Sequence, residues 1–169
     1  MFKFYFVIGG IKTMTFLEIE RKKMTLEFWS EILPWRNDPR VRIWSKTNRV
    51  VSYQEHLAWF QQRSTKLDNE PIFAYFANST FIGMVRLDQV AKNSLEVSLI
   101  INPEYRGRGF GARILNDVCK YFVAMKSAEM KLTAVIHSEN LASLALFSSS
   151  GFTKVTEQLP FVFLELNTF

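Results

Sequence analysis

Three glycines at alternate positions, in Arg106-Gly107-Arg108-Gly109-Phe110-Gly111-Ala112, mark the segment of this chain best equipped for chemistry. The apolar run Val97-Ser98-Leu99-Ile100-Ile101 leads into them, and a helical pattern begins at once afterwards. Glycine lets the backbone turn tightly with its N–H groups facing one concavity. A helix start adds unpaired donors and the positive end of its dipole. Such a turn is built to hold phosphate, and Arg106 and Arg108 add charge beside it. The spacing lacks the third glycine of G-x-G-x-x-G and the Lys-Ser/Thr pair of a P-loop, which weighs against both of those phosphate folds. A strand-to-helix turn that needs glycine for its shape alone is the competing reading, and the flanking arginines weigh against it.

Read as Arg106-x-x-Gly109-x-Gly111, the turn resembles the pyrophosphate-binding signature of the GNAT N-acetyltransferase superfamily. Downstream, Asn140-Leu141-Ala142-Ser143-Leu144-Ala145-Leu146-Phe147-Ser148-Ser149-Ser150-Gly151-Phe152 resembles that superfamily's second signature. The resemblance implies acetyl-CoA as acetyl donor. Its pyrophosphate would lie on Arg106, Gly107, Arg108, Gly109, Phe110, Gly111 and Ala112, its carbonyl against a backbone N–H of Leu99, Ile100 or Ile101, and its pantetheine arm beside Asn140, Ser143 and Phe147. Many members carry tyrosine seven residues after the asparagine to protonate the leaving thiolate. Phe147 has no proton to give, so water or a hydroxyl such as that of Ser148 is left for that task, or the thiolate departs without a dedicated acid. The strand before the turn often carries the carboxylate that deprotonates the acceptor amine, and Glu96 falls there. A surface-facing strand glutamate is its bland alternative, and His137 is the second candidate base.

The stretch Trp35-Arg36-Asn37-Asp38-Pro39-Arg40-Val41-Arg42, followed by Ser45 and by Ser52-x-x-Glu55-His56-x-x-Trp59-Phe60, is also chemically rich. Arg36, Arg40 and Arg42 with Asn37 and the aromatic Trp35 and Trp44 form a set able to bind diphosphate and stack on a ring; a solvated basic turn with core tryptophans is the alternative. The stretch resembles the acceptor side of acetyltransferases that modify nucleotide-linked amino sugars in pseudaminic-type nonulosonic acid biosynthesis. A looser similarity runs to ribosomal-protein and alanine N-terminal acetyltransferases. His56, one residue past a capping glutamate, is either a structural histidine or a group that orients substrate or acts as a base. The function implied is direct acetyl transfer to the amine of a small acceptor, a nucleotide-linked amino-deoxy sugar first and a peptide N-terminus second. A coenzyme A-binding module without catalysis is the reading of another class.

The elements that must place these residues follow from periodicity. Thr15–Lys22 reads as a strand and Thr25 caps a helix over Leu26–Trp35; Ser52 to Glu55 is a capping box that opens a helix to Arg63. Ile72–Ala77, Phe81–Val90 and Leu95–Ile101 read as a three-strand meander, and Gly109–Met125 as a helix with an apolar stripe. Lys131–Ile136 is a strand, Leu141–Ser149 a helix, and Phe152–Val155 with Phe161–Leu166 two closing strands. The order is the one found throughout the superfamily. It predicts an α/β (α+β) fold, a single domain with a mixed, mostly antiparallel twisted sheet of six or seven strands flanked by four helices. Residues 14–169 are assigned to it, and 1–13 to an N-terminal extension or added strand, with Met14 as the alternative start.

Composition bounds the rest. At 169 residues, 48% hydrophobic and 22% charged, the chain suits one globular domain. No apolar stretch approaches the roughly 20 residues that span a bilayer, and the short apolar opening lacks a convincing cleavage site, so no membrane anchor or signal peptide is expected. A lone Cys119 and two histidines suggest a reducing cytoplasm and no metal site. The net charge of +5 suits an anionic small molecule; scattered basic residues without a recognition motif predict no nucleic-acid partner. A monomer or homodimer is expected.

Overall fold

The structure, a computed structural model, describes residues 5–8, 11–14, 18–125 and 129–166. Its strands are β1 (Tyr5–Ile8), β2 (Ile11–Met14), β3 (Ile19–Lys23), β4 (Ile72–Ala77), β5 (Thr80–Ala91), β6 (Ser94–Ile101), β7 (Lys131–His137), β8 (Phe152–Gln158) and β9 (Phe161–Leu166). Its helices are α1 (Leu26–Asn37), α2 (Pro39–Arg42), α3 (Tyr53–Ser64), α4 (Phe110–Met125) and α5 (Leu141–Ser149). Strands β1 and β2 pair only with each other; the other seven form one sheet in the order β3-β4-β5-β6-β7-β9-β8.

Alternation along β4 explains why helices cover both faces. Phe73, Tyr75 and Ala77 enter one core with Phe110, Ile114, Leu115, Val118 and Phe122 of α4, whereas Ile72, Ala74 and Phe76 enter another with Trp29, Ile32 and Phe60 of α1 and α3. A strand buried on both sides reads as a continuous apolar run, which is how β4 reads. Asn78 and Ser79, at φ 47° and 64°, make the two-residue hairpin to β5; both positive φ values mark the primed turn that matches strand twist. Thr25 caps α1, and Ser52 with Glu55 closes the capping box of α3. The α4 stripe is fully enclosed at Ile114, Leu115, Val118 and Phe122, each contributing about 1.5–3 kcal/mol by burial.

All neighbouring strands are antiparallel except β6 and β7. These run parallel and pair at only three positions, Ser94, Leu95 and Glu96 against Lys131, Leu132 and Thr133. Beyond Thr133, β7 continues in register with β9, while β6 stays with β5. The sheet therefore forks after Glu96.

Several boundaries differ from the sequence reading. A fifth helix, α2, follows α1 because Asp38 caps it and Pro39 occupies its first position. Helix α1 continues through Pro34 to Asn37, two residues past the expected end. Strand β8 runs to Gln158 with every residue after Phe152 exposed, so it has no apolar alternation to announce it. The first strand of the main sheet is Ile19–Lys23; residues 15–17 of the expected Thr15–Lys22 lie outside the described residues, as do parts of the 1–13 extension. Among the described residues no helix is long and apolar enough to cross a membrane.

Candidate active site

The fork exposes one edge of β6. Asn102 N–H donates to the Ile82 carbonyl at 2.9 Å, on the β5 side. Alternation then turns Ile100 and Ser98 toward β5, and Val97, Leu99 and Ile101 toward the fork. The same edge receives Lys131 N–H at the Asn93 carbonyl and the Thr133 hydroxyl at the Leu95 carbonyl, inside the paired part. Past Glu96 that pairing stops. Of the three β6 residues in question, Leu99 and Ile101 thus present N–H groups to the opening and Ile100 does not.

At the mouth of the fork lies the glycine turn. Gly107 and Gly109 have φ values of +71° and +79°, a region that side chains rarely adopt, and a Cβ on either would meet nothing within 4 Å. Open space before a strained, glycine-only backbone at a helix start fits a phosphate-bearing ligand. Gly111 serves packing instead: a Cβ there would stand 3.2 Å from Leu146 of α5. Arg106 Nε donates to the Ile101 carbonyl at 3.2 Å, tying the turn to the strand. Partial desolvation lowers the Arg106 pKa, and the charges of Asp38 (raising) and Arg40 (lowering) act on it next. Arg40, held by Asp38 at 2.6 Å, lines the same cleft as Arg106 and Gly107. Arg108 lies over the Tyr105 ring. Gly109 and Ala112 share the turn and first helical residues with Gly107 and Phe110.

A cleft of about 800 Å³ runs from this turn through the fork to α1 and α3, lined by Arg106, Gly107, Phe110, Gly111, Leu99, Ile100, Ile101, Asn140, Ser143 and Phe147 among others. On α5, Asn140 Oδ1 accepts from Ser143 N–H as the helix cap. Phe147 is 5% exposed and meets Phe152 edge to face. Ser148 is exposed and points elsewhere: it is absent from the cleft wall. His137 lines the cleft between Trp44 and Phe161. Its Nδ1 accepts Glu139 N–H, so in the neutral ring Nε2 carries the proton and is a donor. Glu96 lines the cleft at the branch point with its side chain 12% exposed, and accepts two hydrogen bonds from Lys46 Nζ, at 2.9 and 3.1 Å.

The wall facing the fork is basic and aromatic. Trp29, Trp44, Trp59, Arg36, Arg49 and Arg86 line it. Arg86 pairs with Asp88 at 2.8 Å, Asp88 pairs with buried Arg63 at 2.9 Å, and both guanidinium groups lie over the Trp59 ring. Arg49 pairs with Glu55, whose carboxyl falls to about 2 through hydrogen bonds from Arg49 and Ser52. Arg36 has no acidic partner among the described residues. It donates to the carbonyl and hydroxyl of Thr47, its Nη1 is enclosed without a partner, and desolvation followed by the charges of Arg86, Arg42 and Arg49 lowers its pKa.

Three residues expected at the acceptor are spent on the protein itself. Both ends of the Asn37 amide bond the Val51 backbone. Arg42 donates to the carbonyls of Asn37 and Asn48, bracing the segment between α2 and α3. His56 reaches the cleft but is 6% exposed, and its Nε2–H donates to the Trp29 carbonyl. Lys46, Arg49 and Arg86 were not singled out from the sequence, and Trp59 was quoted only within the helix motif that carries His56. Arg86 and Asp88 had a readable signal, two charges inside an otherwise apolar strand run; Lys46 and Arg49 lie in a segment without periodicity and had none. Among the described residues no group of acidic, histidine and cysteine side chains is arranged to hold a metal.

Comparison with known proteins decides the family, because the acetyltransferase (GNAT) domain matches residues 22–153. The chain belongs to the GNAT acetyltransferases. It is 30% identical, over 70% of its length and 68% of the relative's, to an L-methionine sulfoximine/L-methionine sulfone acetyltransferase of Salmonella typhimurium. In fold, this GNAT enzyme superposes on spermidine N-acetyltransferase from Vibrio cholerae bound to CoA and spermine, with TM-score 0.76, 18% identity, and 88% and 94% of the two chains covered. It also superposes on the Campylobacter jejuni N-acetyltransferase PseH in complex with acetyl coenzyme A, with TM-score 0.67, 21% identity, and 90% and 100% covered. As a GNAT N-acetyltransferase it uses acetyl-CoA as acetyl donor.

Proposed function

We propose that the acceptor is an amine that carries phosphate, a nucleotide-linked amino-deoxy sugar. The observation that carries this reading is Arg36, a guanidinium without an acidic partner, with Nη1 enclosed and unbonded, on a cleft wall of three tryptophans. A desolvated cation crowded by other arginines gains most from a multiply charged anion, and the partly exposed indoles of Trp44 and Trp59 offer stacking surface for a base or sugar. The same wall disfavours a polycation such as spermidine.

Acetyl-CoA supplies an activated acyl group on a thioester. Arg106 and the N–H groups of the Gly107–Gly111 turn hold its phosphates in this reading, Asn140, Ser143 and Phe147 flank its arm, and the Leu99 and Ile101 N–H groups stand where a carbonyl oxygen needs donors. Glu96 takes the proton from the acceptor ammonium. His137, with Nδ1 occupied, donates rather than accepts. Neither residue considered for the acid role fills it, since Phe147 has no proton and Ser148 is exposed and off the cleft wall, which leaves the thiolate to solvent.

Relatives at 30% and 29% identity, the second an L-amino acid N-acyltransferase of Escherichia coli, support a second reading, an amino acid whose carboxylate meets Arg36. A free-thiol assay separates the two. Acetyl-CoA is offered with a nucleoside-diphosphate-linked amino-deoxy sugar, L-methionine sulfone, spermidine and a peptide with N-terminal alanine. Turnover of the sugar nucleotide with the highest kcat/KM is expected; turnover of methionine sulfone alone selects the second reading, and of the peptide alone rejects both.

A further inference from the structure

The segment from Ile43 to Ser52, between α2 and α3, forms a strap along the cleft, which it lines with Trp44, Lys46, Thr47 and Arg49. It touches both prongs of the fork: the Trp44 ring lies 5.3 Å from that of His137 on β7, and Lys46 reaches Glu96 on β6. Arg36 on Thr47, Arg42 on Asn48 and Asn37 on Val51 pin the strap from α1 and α2. The Lys46 side chain is 60% exposed, and among the described residues its ammonium bonds Glu96 alone, so little packing fixes it there.

Glu96 is nearly enclosed, and a carboxylate removed from water needs a cation. The groups around it are limited. Lys46 faces it from the strap, Thr133 is its register partner on β7, and Asp88, its register partner on β5, is committed to Arg63 and Arg86. Lys46 thus brings the one cation bonded to Glu96 among the described residues.

We propose that Lys46 Nζ occupies the position of the acceptor's ammonium group, so that the strap is an internal competitor which every acceptor must displace from Glu96. The proposal rests on Glu96 being the group that receives the acceptor amine, and not on which amine that is. The chemistry is a swap of one primary ammonium for another on the same carboxylate. It sets a threshold: acceptors with ammonium alone compete on even terms with Lys46, whereas those that also engage Arg36 displace it.

Two measurements test this. In steady-state kinetics with the sugar nucleotide or L-methionine sulfone, Lys46→Met is expected to lower the acceptor KM about three- to tenfold, since the exposed competitor contributes only a modest ion pair. Lys46→Arg keeps the competitor and the wild-type KM. An unchanged or raised acceptor KM in Lys46→Met overturns the proposal. In the second, lysines of the full chain are labelled by reductive ¹³C-methylation, with the Lys46 signal assigned from its loss in Lys46→Arg. Its shift should move in Glu96→Gln, and saturating sugar nucleotide or methionine sulfone should move the wild-type signal to that same value. A Lys46 signal that neither amine moves overturns the proposal, even where no turnover is seen. Displacement by methionine sulfone but not by the sugar nucleotide retains it and rejects the sugar reading alone.

Discussion

Trp29 and His56 hold each other by a reciprocal pair of bonds. The indole Nε1–H donates to the His56 carbonyl at 2.8 Å, His56 Nε2–H donates to the Trp29 carbonyl at 2.7 Å, and the rings stack at 4.3 Å. This clasp joins α1 to α3 and thereby sets the aromatic wall of the cleft. Burial lowers the His56 pKa from its ordinary 6.5, the bond to Trp29 opposes that, and the Arg36 charge adds to it. A depressed folded pKa means that the stabilisation is complete above pH about 6.5 and is lost progressively as pH falls below it toward the folded value. Thermal melts should show a larger fall in Tm between pH 7.5 and 5.5 in the wild type than in His56→Gln. Equal slopes would remove His56 as the cause.

Arg36 and Arg42 look alike in the sequence and should behave differently. Losing a charged contact to phosphate costs about 1.5–3 kcal/mol, so Arg36→Ala should raise the acceptor KM about ten- to a hundredfold and leave that for acetyl-CoA nearly unchanged. Arg42→Ala instead releases the carbonyls of Asn37 on α1 and Asn48 on the following segment and should lower Tm. Kinetics and melts on the pair test both halves.

The proposed donor site makes acetyl-CoA binding depend on the glycine turn. Gly109→Val puts a branched residue at φ +79° and fills the open space in front of the backbone. Calorimetry should show loss of acetyl-CoA binding in a variant that still gives a native circular-dichroism spectrum, with Arg106→Ala weakened less. Wild-type affinity in folded Gly109→Val would move the phosphates elsewhere.

Phe147 is a wall residue rather than a proton source. Phe147→Ala should destabilise by about 3–5 kcal/mol in denaturant melts, from its burial against Phe152. Phe147→Tyr should keep kcat within about threefold; a rise well beyond that would show thiolate protonation to be limiting.

Glu96→Gln should reduce turnover most at low pH, where the acceptor arrives as ammonium. Rate profiles from pH 6 to 9 on both proteins check this: parallel curves would pass the role to water.

What the sequence made legible is local. The two motifs, the capping box and the α4 stripe are each contained in one segment, and each reappears in place. The candidate site was legible where backbone geometry carries it, at the positive-φ glycines of the turn, and only in part on β6, where the Ile100 N–H turns toward β5. It was not where side chains meet across the fold. A guanidinium aimed at a ligand and one aimed at a carbonyl have the same local sequence, so Arg42 and Asn37 were assigned to the acceptor although they bind the strap. Arg86 stacks on Trp59, from another element, and Lys46 finds Glu96 fifty residues away. The fork is equally nonlocal, since it arises where β7 follows β9 instead of β6.

That short seam also divides the sheet kinetically. Leu95 lies inside the three-residue parallel pairing, whereas the amides of Leu99 and Ile101 face an opening with no strand across it. Their protons should exchange with deuterated solvent far sooner than that of Leu95 on the same strand, and slow sharply once the fork is filled. The strand thus reports occupancy through its own backbone, without any substrate being turned over.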